Sequence, residues 1–137
     1  MALFVDASAL VAILANEPEG GRFADQITAA EASLWSPMVR FEATLALRRV
    51  LAIPLEDAQR DVDAFANAMG FQMVSIGAIE GQAAIDAHAR YGKGHHPARL
   101  NMGDCFAYAC AHSQSAELLY KGDDFALTDL ADTERLQ

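Results

Sequence analysis

The 137-residue sequence predicts one α/β domain with a mostly parallel central sheet covered by helices on both faces. Short apolar runs that suit strands alternate with longer segments that have helical periodicity. No linker, internal repeat or low-complexity tract divides the chain. A chain of this length buries roughly 70% of the surface of its unfolded form, so its fold needs no disulfide or structural metal.

The composition is that of a folded protein without a membrane segment, with 53% apolar and 21% charged residues. The longest run of apolar and small residues after Asp6, residues 7–15, is only about half of the roughly 20 residues that span a bilayer. No basic residue precedes Arg22, which argues against a signal peptide. Cys105 and Cys110 are five positions apart on one predicted helix, so they point in different directions and favour core packing. We therefore expect a cytoplasmic protein.

The first half of the chain opens with a strand at residues 2–5, four β-compatible residues that end at an acid. A helix is predicted at 7–16 because Asn16 and Pro18 mark its end, and a weakly patterned helix follows at 21–32. Residues 33–36 form a short predicted strand. The helix at 38–52 opens after Pro37, whose fixed φ suits a first helical turn.

The second half repeats the alternation. Residues 55–69 are predicted as a helix that Gly70 caps. A loop is predicted at 91–101 because it contains two glycines, a proline and two histidines. The other predicted elements are a strand at 71–76, helices at 79–91 and 102–113, a strand at 117–120 and a turn at 121–125.

Acidic residues follow both the first and the last predicted strand. Asp6 ends the first, and Asp123 and Asp124 follow the last. Because the carboxyl ends of parallel strands lie at one edge of a sheet, these carboxylates are expected to converge. The alternatives are that Asp6 only caps the next helix and that the two later acids belong to a solvated turn.

Glu42 is the most informative acid, because its helical surroundings predict that it points into the core. A carboxylate removed from water costs several kcal/mol unless it is paired or binds a metal. The alternative is a buried ion pair with Arg40 or Arg48. The neighbours three and four positions away are all apolar: Met38, Val39, Leu45 and Ala46.

Asp104 lies near the start of its predicted helix and has two interpretations. With Asn101 as the cap, it stands at the third position of a capping box. Its forward neighbours Ala107, Tyr108 and Ala111 continue as an inward face, so its carboxylate is also able to face the interior that Glu42 faces.

A cluster of these carboxylates needs protons or cations. At about 5 Å and an effective dielectric of 20, each ionised pair costs roughly 3 kcal/mol. Oxygen ligands suit Mg²⁺ or Mn²⁺, which complete their coordination with water and substrate phosphate. The expected chemistry is water activation and stabilisation of a phosphodiester transition state.

Four segments in order resemble a PIN-domain ribonuclease, and most closely the VapC toxins of bacterial toxin–antitoxin pairs. The resemblance covers essentially the whole chain. It implies a PIN-like three-layer α/β/α fold with a mostly parallel central sheet, Mg²⁺-dependent endoribonuclease activity with a 5′-phosphate product, a small cognate antitoxin and a homodimer. The segments are residues 3–10, Glu42 on the helix after the second strand, residues 103–109 and residues 118–125.

Carried over to this chain, the family's first three acids fall on Asp6, Glu42 and Asp104. The fourth falls on Asp123 or Asp124, and Asp124, directly before a phenylalanine, is preferred. The resemblance implies that Asp6 and Asp104 hold the principal Mg²⁺ and that Glu42 orients or activates water. The fourth acid completes the set of catalytic and metal-binding residues.

Ser8 and Asp129 are further candidates. Ser8 matches a small hydroxyl that the family often has two residues after the first acid, although it also suits a hydrogen bond at the helix start. Asp129 is a more remote candidate for the fourth acid. For the homodimer, residues 55–69 offer a packing stripe that is more often core than interface: Ala58, Val62, Phe65 and Met69.

The net charge of −9 and pI of 4.7 argue against a nucleic-acid binder, which usually has a basic face. An RNA substrate therefore requires a local basic patch. Arg90, Lys93 and Arg99 lie on or beside the loop before Asp104 and are expected to bind substrate phosphates. The alternative is an ordinary solvated loop.

Two other functions compete with the ribonuclease. A Mg²⁺ phosphatase with Asp6 as nucleophile needs a second acid adjacent to it or two residues on, where Ala7 and Ser8 stand. The remaining alternative is a non-catalytic metal- or RNA-binding PIN-like protein.

Overall fold

The centre of the protein is a parallel four-stranded sheet. A computed structural model describes residues 1–94, 96–122 and 125–130. The strands in these ranges are β1 (Ala2–Val5), β2 (Ala32–Trp35), β3 (Gln72–Met73) and β4 (Glu117–Leu119). Their order across the sheet is β3-β2-β1-β4, and each adjacent pair is parallel.

Helices connect and cover these strands. They are α1 (Ala7–Leu14), α2 (Gly20–Ala29), α3 (Pro37–Leu51), α4 (Leu55–Ala68), α5 (Ala78–Tyr91) and α6 (Met102–Ser113). Helix α1 packs against α2 and α3, and α3 packs against α4. Helices α5 and α6 pack against each other, and α6 also contacts β1 and β4. This arrangement confirms the predicted α/β class with a parallel sheet.

Strand β1 occupies the middle of the sheet and determines where the site forms. It pairs with β2 on one side and β4 on the other, and Phe4 and Val5 are completely buried. Strands buried on both faces are continuous apolar runs, as this one is. Asp6, the next residue, therefore emerges at the centre of the carboxyl edge, where its amide donates to the Leu119 carbonyl at 2.9 Å.

Helix α3, which carries Glu42, has defined ends. The Ser36 hydroxyl accepts a hydrogen bond from the Val39 amide at 3.2 Å, and proline occupies the first turn. Ala52 ends the helix in a left-handed conformation with φ of 51°. Arg40 joins α3 to α4 through two 2.8 Å bonds from its Nε and Nη2 to Asp63. The position of Glu42 is therefore set by a capped helix whose first turn is bonded to α4.

The predicted helices and strands are all present, with shorter bounds in places. The turn predicted at 121–125 lies partly outside the described residues. The strand predicted at 71–76 spans only Gln72–Met73, because it is at the edge of the sheet and its side chains are exposed. The helix predicted at 21–32 ends at Ala29, so that Ala32 starts β2.

Several packing expectations are also confirmed. Cys105 and Cys110 are buried and unbridged. On α4, Ala58 and Val62 are completely buried. Phe65 and the C-cap residue Met69 are partly buried against the core, so this stripe belongs to the core. No helix in the described ranges is long and apolar enough to cross a membrane.

Candidate active site

An open cleft of about 650 Å³ lies at the carboxyl edge of the sheet. It brings together the three candidate acids from separate parts of the chain, since Asp6 follows β1, Glu42 lies on α3 and Asp104 lies on α6. The other residues of its wall are Ala7, Ser8, Val11, Glu17, Phe41, Leu45, Ala46, Arg49, Val50, Asn101 and Lys121.

Asp6 combines a capping role with a place in the cleft. It is only 7% exposed, and its Oδ2 accepts hydrogen bonds from the Ser8 amide at 3.1 Å and the Ser8 hydroxyl at 2.5 Å. The N-cap alternative is therefore correct and compatible with the site. Capping orients the carboxylate because the first turn of α1 holds one of its oxygens.

The Ser8 hydroxyl also links the segments that follow two adjacent strands, β1 and β4. While it donates to Asp6, it accepts a hydrogen bond from the Lys121 amide at 2.9 Å. Lys121 lies just beyond β4, so this chain of bonds ties the segment after β4 to the end of β1. The sequence indicated Ser8 but contained no signal for this second bond.

Glu42 faces the cleft and not the closed core. It is half-buried, and Leu45 beside it is 39% exposed, so the prediction that it points into the core was wrong in this respect. The core face of α3 is formed by other residues: Val39, Ala43, Thr44 and Leu47. Because Arg40 pairs with Asp63, the proposed Glu42–Arg40 ion pair is also excluded.

The electrostatics of Glu42 show that the acids lie close together. Burial raises the pKa of Glu42 from 4.5 to about 7, and the negative charges of Asp6 and Asp104 add to the increase. A carboxyl with a pKa near neutrality is able to lose or take up a proton at physiological pH. The three acids therefore act on one another electrostatically within one cleft.

Gly103 allows α6 to approach α3 beside this cluster. A Cβ placed on Gly103 would overlap the Glu42 carboxylate. Glycine at this position leaves room for the Glu42 carboxylate against the first turn of α6, and a larger residue would require that carboxylate to shift. The resemblance included this residue in its third segment but did not explain it.

Asp104 also has both of the roles that its sequence position suggested. The Asn101 side chain accepts from the Asp104 amide at 2.9 Å, and Asp104 Oδ2 accepts from the Asn101 amide at 3.1 Å. This capping box fixes the first turn of α6 while Asp104 lines the cleft.

The fourth acid was predicted at Asp123 or Asp124, and both lie outside the described residues. Asp129 is described, and its Oδ1 accepts a 2.5 Å hydrogen bond from the Tyr108 hydroxyl. Asp129 is not among the residues that line the cleft.

The donor set of the cleft suits a hard divalent cation, since carboxylate oxygens are the ligands that Mg²⁺ prefers. Burial raises the pKa of Glu42 and repulsion from Asp6 and Asp104 adds to the rise; a bound cation relieves repulsion of this kind. Within the described ranges, no three acidic, histidine or cysteine side chains are close enough together to hold one ion. Mg²⁺ often uses only one or two protein carboxylates and completes its coordination with water and phosphate oxygens, so Asp6 and Asp104 are sufficient in number.

The basic residues of the cleft differ from those that the sequence indicated. Its wall contains Arg49 and Lys121, and none of the three predicted phosphate-binding residues. Lys93 and Arg99 border a separate depression, and Arg90 bonds the Tyr91 hydroxyl at 2.7 Å. Their contact with phosphate stays a prediction. The sequence signal for Arg49 was its place two helical turns after Glu42, which puts both residues on one side of α3.

The fold and the cleft define a class of protein: an α/β domain with carboxylates gathered at the carboxyl edge of a parallel sheet. The PIN domain family model matches residues 3–130, so the chain belongs to the PIN-domain family. It is 44% identical to a VapC ribonuclease of Rhizobium meliloti (strain 1021), over 93% of this chain and 98% of the relative. It is also 36% identical to Ribonuclease VapC30 of Mycobacterium tuberculosis (strain ATCC 25618 / H37Rv), over 94% of this chain and 96% of the relative.

Solved structures share the fold at low sequence identity. VapC20 of Mycobacterium tuberculosis, named as a sarcin–ricin loop cleaving toxin, matches with a TM-score of 0.71 at 16% identity, over 90% of this chain and 92% of that one. VapBC2 of Rickettsia felis, bound to a DNA fragment from its promoter, gives a TM-score of 0.73 at 12% identity, over 96% of both chains. These matches confirm the predicted PIN-like architecture.

Proposed function

We propose that this protein is a Mg²⁺-dependent endoribonuclease toxin that a small cognate antitoxin neutralises. The observation that carries the proposal is the convergence of Asp6, Glu42 and Asp104 in one cleft, where burial and the charges of the other two acids raise the pKa of Glu42 to about 7. Relatives named as VapC ribonucleases, which this chain matches over 98% and 96% of their length, support RNA as the substrate.

In the proposed reaction, Asp6 and Asp104 hold Mg²⁺, and Asp123 or Asp124 completes the acidic set. The ion supplies Lewis-acid activation of water and neutralises charge on the phosphate. Glu42 orients the attacking water and accepts its proton, a role for which a pKa near neutrality is suited. The water oxygen bonds to phosphorus as the bond to the 3′ oxygen breaks, and the departing 3′ oxygen takes a proton from solvent, which leaves a 5′-phosphate and a 3′-hydroxyl.

The antitoxin is proposed from the solved relatives and from the surface beside the acids. A toxin–antitoxin complex of Klebsiella pneumoniae shares the fold with a TM-score of 0.71 at 17% identity, over 96% of this chain and 96% of that one. In this chain, Phe41 is 61% and Leu45 39% exposed at the wall of the cleft. Exposed apolar side chains beside a charged site are typical of a protein-binding surface. We further propose a cytoplasmic homodimer, on the basis of the family resemblance.

Cleavage of a pool of structured RNAs, with Mg²⁺ and with EDTA, tests the proposal. Wild type should cut only with metal, and Asp104→Asn should not cut. Asparagine removes the charge but keeps an oxygen for the Asn101 amide, so the capping box and the fold should survive. Asp61→Asn, the same change at an exposed position on α4, is the matched control and should cut like wild type.

The main alternative, a PIN-like protein that binds metal or RNA without turnover, makes a different prediction. It requires that purified, antitoxin-free wild type binds RNA and leaves it intact. Equal cutting by wild type and Asp104→Asn would contradict the assigned site.

A further inference from the structure

The cleft presents an electrostatic difficulty for an RNA substrate. Its wall carries four acidic side chains, Asp6, Glu17, Glu42 and Asp104, against two basic ones. A bound metal ion offsets part of this charge at the scissile phosphate only. The neighbouring phosphates, each with one negative charge, need cations of the protein. The two basic side chains of the wall are Arg49 and Lys121.

Lys121 is held in place at both its backbone and its side chain. Its amide donates to the Ser8 hydroxyl, which in turn donates to Asp6, so the Lys121 backbone is fixed relative to the first acid. Its Nζ lies 2.5 Å from Glu17 Oε2 and 3.6 Å from Glu19 Oε2. Two carboxylates therefore share one ammonium group at the edge of the cleft.

The pairing is open to exchange, because none of the three side chains is deeply buried. The Lys121 side chain is 36% exposed, and those of Glu17 and Glu19 are 26% and 39% exposed. Ion pairs of this exposure are weak. A phosphate oxygen accepts the same charge-assisted hydrogen bonds from an ammonium as a carboxylate does, so RNA and the two glutamates compete for one cation.

Arg49 differs from Lys121 in this respect. It is exposed on α3, and the ion pairs formed within the described part of the chain do not include it. Its guanidinium is therefore available to the cleft without displacing a salt-bridge partner among the described residues.

We propose that Arg49 and Lys121 bind the RNA phosphates that flank the scissile bond, and that Glu17 and Glu19 restrain Lys121 until the RNA backbone displaces them. This inference rests on the proposed function and adds to it the residues that bind substrate. Both cations are substrate-binding residues, and the two glutamates act through Lys121. The glutamates lower the affinity for RNA and favour substrates that engage both cations.

Binding of a fluorescein-labelled single-stranded RNA of mixed sequence, followed by anisotropy with Mg²⁺, tests the inference. Asp104→Asn serves as the parent so that the probe stays intact. Adding Lys121→Gln or Arg49→Gln should weaken binding. Each lost contact should also make the negative slope of the log of the association constant against log salt shallower by about 0.7. Adding Glu17→Gln should tighten binding roughly 2- to 5-fold, since it releases a weak ion pair.

A gain of affinity is a result that structural damage does not produce, and a double variant identifies its cause. In the Lys121→Gln background, Glu17→Gln should no longer tighten binding. An undiminished gain there would show that Glu17 acts only by general repulsion and would overturn the restraint. Glu117→Gln, the same charge change at an exposed residue of β4, should leave affinity within error of the parent.

The outcomes separate this inference from the proposed function. Unchanged affinity and salt slope in both cation variants overturn the inference, whether or not wild type cuts RNA. In that event, alanine variants of Arg90, Lys93 and Arg99 test the other patch. Absence of metal-dependent cutting by wild type contradicts the proposed function and leaves the binding result to be judged by itself.

Discussion

Replacement of Glu42 by glutamine should stabilise the metal-free protein while it abolishes cleavage. Glu42 is half-buried beside two other acids, and its pKa is raised from 4.5 to about 7 by burial and by the charges of Asp6 and Asp104. Glutamine has nearly the same shape and no charge, so it removes the repulsion. It also removes the group that accepts the proton of water in the proposed reaction.

The sign of the pH dependence follows from the direction of the shift. Because the folded state binds the Glu42 proton more tightly than the unfolded state, stability falls as pH rises from about 4.5 through about 7. Each pKa unit corresponds to about 1.36 kcal/mol, so the upper limit is about 3 kcal/mol at alkaline pH. Since Glu42 is partly exposed, we expect the Glu42→Gln gain in the free energy of unfolding to be about 1–3 kcal/mol.

Urea denaturation in EDTA, at about pH 5.5 and about pH 8, measures this effect. Glu42→Gln should gain more stability over wild type at the higher pH than at the lower. Glu117→Gln, on an exposed strand residue, is the control for the change of net charge. Mg²⁺ should stabilise wild type more than Glu42→Gln if it relieves the same repulsion. An equal gain at both pH values, or a loss at pH 8, would refute the reasoning.

Two further predictions concern the surroundings of the acids. Gly103→Ala should lower RNA cleavage at least tenfold because its methyl group displaces the Glu42 carboxylate. The control is Gly81→Ala on α5, where a Cβ meets nothing within 4 Å. It should keep activity and gain about 0.5–1 kcal/mol in the free energy of unfolding, measured by urea denaturation. Asp63→Asn should lose up to about 1 kcal/mol of stability, because Arg40 holds the pKa of Asp63 below its usual value through two hydrogen bonds between partly exposed side chains. In wild type this contribution should be lost as pH falls through the lowered pKa of Asp63, and high salt should reduce it. If the stability lost in Asp63→Asn depends on neither pH nor salt, the ion-pair explanation is contradicted.

Local signals in the sequence predicted most of the fold. Helix α6 was predicted with its observed bounds, Met102–Ser113, because its capping box of Asn101 and Asp104 is complete within four residues. Strand β3 was predicted too long, because residues 71–76 are strand-like in composition but the edge of the sheet offers them a partner only at Gln72–Met73. Propensity is local, whereas pairing depends on the neighbouring strand.

The order of the acids along the chain, and their positions at strand ends and on helices, were determined by the sequence alone. Asp6 was chosen from its place at a strand end, Glu42 from its apolar helical neighbours and Asp104 from its place near the start of a helix, and all three line one cleft. The capping interactions of Asp6 and Asp104 were also predictable, because the bonded groups lie two and three residues apart.

Only the tertiary structure decided what surrounds these acids. It excluded Arg40 as the partner of Glu42, placed Gly103 against the Glu42 carboxylate, and joined Ser8 to Lys121 across the sheet. The residues in contact are far apart in the sequence: Arg40 and Asp63 by 23 positions, Glu42 and Gly103 by 61, and Ser8 and Lys121 by 113. Arg49 had a local signal in its spacing from Glu42 on α3. Lys121 was missed because contacts at such separations depend on strand order and helix packing, which hydrophobic periodicity does not encode.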